Sequence, residues 1–210
     1  MDILAIDTAL EHCSVAITRD GAELACLSQP MKRGHAEALA PMVSQALAFA
    51  KVDAKAINRV GVVVGPGSFA GVRVGLGFAR AMAIGTSIEI VGITSLAALA
   101  SSSDAPDGAC RGVTIDARQG HLYAALYDNE GSVLKAPFIA KAQDAHKMLG
   151  NAAGKRSMHL VDGANAVIDP LRLCAMARAA PTPSNSPAPL YLRPPDAIAP
   201  SPGRYDGIDV

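Results

Sequence analysis

Apolar and polar positions along the first hundred residues follow two periods, and the change from one to the other marks the elements. Ile3 to Ile6 is an unbroken apolar run closed by Asp7, which predicts a buried strand ending in an acid. Cys13 to Thr18 alternates as a second strand. Arg19-Asp20-Gly21 then turns the chain into a third, Ala22 to Ser28, because Asp-Gly readily takes the positive φ angles of a tight hairpin. After Gly34 the period changes: Leu39, Met42, Val43, Ala46, Leu47 and Ala50 recur at spacings of three and four, which predicts an amphipathic helix. Val60 to Val64 is nearly continuous in β-branched residues, as a central strand covered on both faces should be. A glycine-rich turn follows, then a helix over Val72 to Ile84, a strand over Ile88 to Ile93 and a short helix over Ser95 to Ala100.

Beyond the loop at residues 101–108 the pattern begins again. Gly112 to Asp116 repeats the apolar strand ending in aspartate, His121 to Tyr127 alternates, and Asp128-Asn129-Glu130-Gly131 turns into Ser132 to Ile139. Asp7 and Asp116 lie 109 positions apart, and the hairpin glycines Gly21 and Gly131 lie 110 apart. Two stretches agreeing in order and spacing to within one residue predict a duplicated fold, and two copies are too few for a solenoid. A helix over Ala142 to Leu149, a strand over His159 to Asp162 and a helix over Pro170 to Ala179 complete the second copy. The expected organisation is an N-terminal lobe at residues 1–104, a smaller C-terminal lobe at 105–180 and a proline-rich, extended and mostly unpacked tail at 181–210. Within that tail Leu190-Tyr191-Leu192-Arg193 is the cluster expected to dock on the body.

Composition narrows the class. Of 210 residues half are apolar, enough for a sizeable core. Lysine plus arginine equals aspartate plus glutamate, 19 against 19, so no global field draws in a polyanion or an anionic membrane. Eight aromatic residues, none grouped as a stacking platform, argue against a stand-alone RNA-binding module. The start MDILAID fits neither a signal nor a transit peptide, and Arg73, Arg80 and Glu89 interrupt the longest apolar region, so the expectation is a soluble, cytoplasmic chain without a membrane segment. Four cysteines form no C-x-x-C pair and five histidines no H-x-x-x-H pair; reduced thiols and no metal site are expected.

The candidate chemistry centres on GPGSFAGVRVG, residues 65–75. No register of it supplies the lysine of a P-loop. Gly65, Gly67 and Ala70 satisfy a dinucleotide fingerprint, but Glu89, the acid some twenty residues on, falls at the start of its strand and thus at the wrong end of the sheet. A tight strand-to-helix turn capped by Ser68 accounts for most of the motif. Arg73 is the exception, a cation in the first turn of a helix whose N-terminus is already positive; it either reaches to water or meets an anion or a partner's carboxylate. Gly75, Gly77 and Gly85 each cost about 1 kcal/mol relative to alanine in a helix, a smallness that suits close approach of another helix. His35 and Glu37 head the first helix, but Leu39 stands where a second metal-binding histidine is needed. Asp7-Thr8 and Asp116-Ala117-Arg118 end equivalent strands, as two turns gripping phosphates across a cleft would, but neither has the paired glycines that close around a triphosphate.

Duplicated strand-hairpin-helix halves, each opening on an aspartate, look like the actin, sugar-kinase and heat-shock ATPase (ASKHA, ribonuclease-H-like) fold, an α/β class with two lobes built on mixed five-stranded sheets. Ile3 to Asp7-Thr8, Arg33-Gly34-His35-Ala36-Glu37, GPGSFAGVRVG, Asp116-Ala117-Arg118 and Leu190-Tyr191-Leu192-Arg193 together resemble the TsaB (YeaZ) family over nearly the whole chain. Ala70 and Val72 depart from the threonine and leucine of the family pattern, and Gly120-His121-Leu122 from the glutamate and valine that often precede the tyrosine. The resemblance implies a glycoprotease-like but catalytically quiet paralogue of TsaD, the subunit that transfers threonylcarbamoyl to N6 of adenosine 37 in ANN-decoding tRNAs. It implies a heterodimer with TsaD, the ATPase TsaE in a ternary complex, a homodimer when alone, and tRNA contacted only through the complex. No cofactor is then tightly bound; ATP or ADP enters in the assembly, with Asp7, Thr8, Asp116 and Arg118 as a degenerate nucleotide cleft. The implied interface uses His35, Leu39, Met42, Val43, Phe69, Val72, Arg73, Leu76, Ala79 and Arg80, with Phe78 a further apolar candidate on the same helices. The alternative is an enzyme in its own right, an ATP-dependent kinase or a glycoprotease-type peptidase.

Overall fold

The structure, a computed structural model, describes residues 1–182 and 185–193. Its first half opens with β1 (Asp2–Asp7), β2 (His12–Arg19) and β3 (Ala22–Pro30) and continues with α1 (His35–Ala50), β4 (Arg59–Val63), α2 (Phe69–Ala83), β5 (Glu89–Ile93) and α3 (Ser95–Ser102). The second half contains β6 (Cys110–Asp116), β7 (His121–Tyr127), β8 (Val133–Lys141), α4 (Ala142–Ala153), β9 (Met158–Asp162) and α5 (Pro170–Ala179). The strands form two mixed sheets ordered β3-β2-β1-β4-β5 and β8-β7-β6-β9. In each, an antiparallel meander is followed by a strand parallel to its first, β4 beside β1 and β9 beside β6. The duplication read from Asp7 and Asp116 is therefore structural. Among the described residues the second sheet has four strands, not five, because the chain passes from β9 directly to α5 and contains no second strand-turn-helix unit like β4-α2-β5.

Element ends follow capping and burial. α2 starts at Phe69, three residues earlier than its apolar period suggests, since the Ser68 hydroxyl accepts the Gly71 N–H and caps the helix there. α4 runs through Gly150 to Ala153, because Ala145, Leu149 and Ala153 continue a buried stripe; it ends at Gly154, with φ 62°.

Strand alternation sorts the side chains into three cores. Leu4, Ile6, Val60 and Val62 face α1 and α2, where Leu39, Val43, Leu76 and Ala79 meet them. Ile3, Ala5 and Val63 point the other way and share one core with Val113, Ile115, Ala125 and Tyr127 of the second sheet. Ala124 and Leu126 pack with Ala145 and Leu149 of α4. The middle core holds α3 and α5, and these two cross over: α3, from the first half, lies on the second sheet, and α5, from the second half, covers β1, β2 and β4. Arg59, 6% exposed, fixes α5 in place by donating to the Ala177 and Ala180 carbonyls at 2.9 and 2.8 Å while pairing with Glu89.

The tail contributes more than a single cluster. Residues 186–193 lie across the molecule as a strap: Pro187 sits against Gly92, the Leu190 N–H donates to the Val64 carbonyl at 2.8 Å, and Arg193 donates to the Ala117 carbonyl at 3.1 Å. The rest of the proline-rich stretch read as extended, residues 183–184 and 194–210, lies outside the described residues.

Candidate functional site

Two aspartate turns occupy equivalent ends of β1 and β6 and share one local geometry. The Asp7 carboxylate accepts the Ala9 N–H at 2.9 Å, and the Asp116 carboxylate accepts the Arg118 N–H at 2.8 Å. Their surroundings differ sharply. Asp116 and Arg118 are exposed, and Arg118 to Gly120 turn through three consecutive positive φ angles. Asp7 and Thr8 are each 1% exposed, and desolvation pushes the Asp7 carboxyl up to about 7.

The cover is the glycine-rich loop itself. The Ser68 N–H donates to the Ala9 carbonyl at 2.8 Å, and the Thr8 hydroxyl donates to the Gly71 carbonyl at 2.7 Å. A Cβ at Gly67 would stand 2.4 Å from the Ala9 carbonyl oxygen, and one at Gly71 only 2.0 Å from that of Thr8. These two glycines therefore let one backbone press on another, and the hydroxyl and amide that a phosphate would seek are already bonded within the chain. Asp7, Thr8, Asp116 and Arg118 line neither of two cavities formed by the described residues. A cavity of about 810 Å³ is lined instead by residues of β7, β8, α4 and the strap, and one of about 460 Å³ lies between α5 and the β2–β3 hairpin.

The helix residues divide in a way their periodicity conceals. Leu39, Met42, Val43, Val72, Leu76 and Ala79, expected at a partner interface, are all buried in the chain's own core, as is His35. A stripe recurring every three or four residues is the face a helix must turn toward its sheet, so it cannot also be the outer face. Phe69, Arg73 and Arg80 do lie outside. On the outer surface small residues are exposed on both helices beside larger ones: Ala70, Gly77 and Ala81 on α2, with Ala36, Ala40, Ser44 and Ala48 on α1; of these the sequence singled out only Gly77. Phe49 and Ile84, 60 and 80% exposed, add apolar area at its far end. The three glycines read as suiting a neighbouring helix divide: a Cβ at Gly77 would meet no atom within 4 Å, one at Gly75 would meet Thr8, Ile6 and Val62 inside the chain, and Gly85 lies beyond the end of α2 with φ 70°.

Among the described residues Arg73 meets no carboxylate. Its guanidinium lies 3.6 Å from the centre of the Phe69 ring, and its Nε donates to the Tyr191 hydroxyl at 3.0 Å.

Residues 29–169 match the family described as TsaD, tRNA N6-adenosine threonylcarbamoyltransferase. The tRNA threonylcarbamoyladenosine biosynthesis protein TsaB of Escherichia coli is 34% identical over 160 residues, covering 74% of this chain and 69% of that protein. This chain belongs to the TsaB family. A Pseudomonas aeruginosa structure described as an uncharacterized protein with similarity to peptidase YEAZ shares the fold, with a TM-score of 0.73 over 91% of this chain and 99% of its own at 22% identity. YeaZ from the same organism aligns with a TM-score of 0.59 at 30% identity over 66% of each chain.

Among the described residues no group of three histidine, cysteine or acidic side chains is placed to hold a metal, and no helix is long and apolar enough to cross a membrane.

Proposed function

We propose that this chain is a non-catalytic subunit that pairs with a TsaD transferase and supports threonylcarbamoyl transfer to N6 of adenosine 37 in ANN-decoding tRNAs. The observation that carries the reading is the sealed aspartate turn: the Thr8 hydroxyl and Ser68 N–H are bonded inside the chain, and Gly67 and Gly71 bring loop and turn into backbone contact where a phosphate would need room. A surface closed in this way favours a structural over a chemical task.

The match of residues 29–169 to the transferase's own family supports the choice of partner. A partner built on the same plan presents the same pair of helices, so two such chains can pack face to face through a near-twofold arrangement. The outer strip of Ala70, Gly77 and Ala81 on α2, beside the small residues of α1, is suited to that contact, because small side chains let helix axes approach closely. In the same proposal the ATPase TsaE and a nucleotide join the assembled complex, tRNA is met only there, a second copy covers the helices when TsaD is absent, and the work is done in the cytoplasm.

Reconstitution tests this. Unmodified ANN-decoding tRNA, threonylcarbamoyl-adenylate, ATP, TsaD and TsaE are combined with and without this chain, and modified adenosine is measured by mass spectrometry. Modification should depend on the chain, and a Gly77→Gln variant should not support it. Equal modification without the chain, or transfer by this chain alone, refutes the reading.

A further inference from the structure

α2 carries two arginines and no acid, and the strap at residues 186–193 adds no acid beside them. At 100° per residue, Phe69, Arg73 and Arg80 fall within an arc of about 40°, and Ala70, Gly77 and Ala81 occupy the arc next to it. The strap follows the arginine side. Arg73 donates through Nε to Tyr191 Oη at 3.0 Å, and Arg80 donates to Ser186 Oγ at 3.3 Å and to the Pro187 carbonyl at 2.7 Å. Every acceptor is neutral, and among the described residues neither guanidinium meets a carboxylate.

The strap is itself firmly seated. The Leu190 N–H is bonded to Val64 at the end of the central strand, and Pro187 fills the space above Gly92. Tyr191 stacks on Phe69 with ring centres 5.2 Å apart, and both rings remain nearly half exposed. Two long cationic side chains that would otherwise sample many rotamers are thus held in one geometry with their charge still available.

We propose that the strap is part of the docking face: it presents Arg73 and Arg80 as two fixed cations for carboxylates on the transferase subunit that packs on α2. The inference rests on the assignment of α2 as the docking helix. Fixing the guanidinium groups beforehand removes most of the ordering cost of an interfacial ion pair, and a bidentate guanidinium-carboxylate contact is the strong form of such a pair. Tyr191 is a positioning residue that acts through Arg73.

The test is a double-mutant cycle on the full-length chain, with the dissociation constant for purified TsaD measured by calorimetry at low and high sodium chloride. Arg73→Gln should weaken binding about tenfold and flatten its salt dependence. Tyr191→Ala should weaken binding about threefold in the parent and add little in the Arg73→Gln background, since the ring matters through the guanidinium. Tighter binding by Tyr191→Ala would show that the strap competes with the partner, and an equal loss in both backgrounds would show that Tyr191 acts independently; either overturns the proposal. Gly77→Gln fills the neighbouring strip, where a Cβ would meet no atom within 4 Å, and separates the two levels. If it leaves binding unchanged, the docking face is wrong and the strap proposal falls with it; if it abolishes binding while the cycle shows no coupling, the strap proposal alone falls.

Discussion

Gly71→Ala and Gly77→Ala place the same methyl group six residues apart on the same helix, and the structure predicts opposite signs for them. At Gly71 the new Cβ would lie 2.0 Å from the Thr8 carbonyl oxygen and 3.1 Å from its carbon, both backbone atoms of a buried turn. Neither can rotate away, so the loop must lift from the turn and lose the Thr8 to Gly71 and Ser68 to Ala9 hydrogen bonds. Overpacking of this kind costs about 1–3 kcal/mol, and contact with fixed backbone belongs at the upper end. At about 2–4 °C per kcal/mol for a chain of this size, Tm should fall by roughly 5–10 °C. At Gly77 a Cβ meets nothing within 4 Å, and alanine should gain about 0.5–1 kcal/mol from helix propensity alone, raising Tm by a few degrees. Scanning calorimetry on the two variants decides, and hydrogen exchange locates the effect: the Ser68 amide should lose protection in Gly71→Ala and keep it in Gly77→Ala. Two Tm shifts of the same sign would refute the claim that the loop glycines exist for close backbone contact.

Burial raises the Asp7 carboxyl from its ordinary 3.8 to about 7, so the folded chain holds a proton that the unfolded chain releases between those values. Its contribution to stability is fully present below about pH 4 and is lost as pH rises to about 7; Asp7→Asn should therefore gain Tm over the parent at pH 8 and little at pH 4, and a constant difference would contradict the assignment. Arg59→Met removes the donor that holds two carbonyls at the end of α5, while the Glu89 it leaves behind is partly exposed, and should cost about 2–3 kcal/mol by urea titration, whereas a loss below about 1 kcal/mol would show that α5 needs no such anchor. Cys13, Cys110 and Cys174 are buried, and burial pushes the Cys174 thiol up to about 12, while Cys26 is exposed; a thiol reagent should therefore label one cysteine in the native chain and four in denaturant.

Local pattern settled much of this molecule. The run from Ile3 to Asp7, the Asp20-Gly21 hairpin and the helix carrying Leu39, Met42 and Val43 are each written in consecutive residues, because strand and helix periods are properties of a short segment. The duplication was legible for the same reason, since comparing Asp7 with Asp116 requires only two local patterns and a count between them. The same helix period could not divide core from interface: it identifies an apolar stripe without saying whether sheet or partner covers it, and for Leu39, Met42, Val43, Leu76 and Ala79 the sheet does.

What tertiary structure alone decided lies in pairings between distant residues. GPGSFAGVRVG seals the turn of its own β1, α3 and α5 exchange sheets, and Arg73 rests against a tyrosine 118 residues away. No period in a short window encodes such contacts, because they depend on where the strands set two remote backbones. The sequence by itself determined that a glycine-rich turn would launch a helix here and that a second copy of the strand motif would follow; it placed Arg73 in the first helical turn, but the Ser68 cap starts α2 at Phe69 and moves the arginine into the second. The three-dimensional arrangement determined what those features serve: the glycines admit a carbonyl in place of a phosphate, and the arginine is held by the strap with its charge left open.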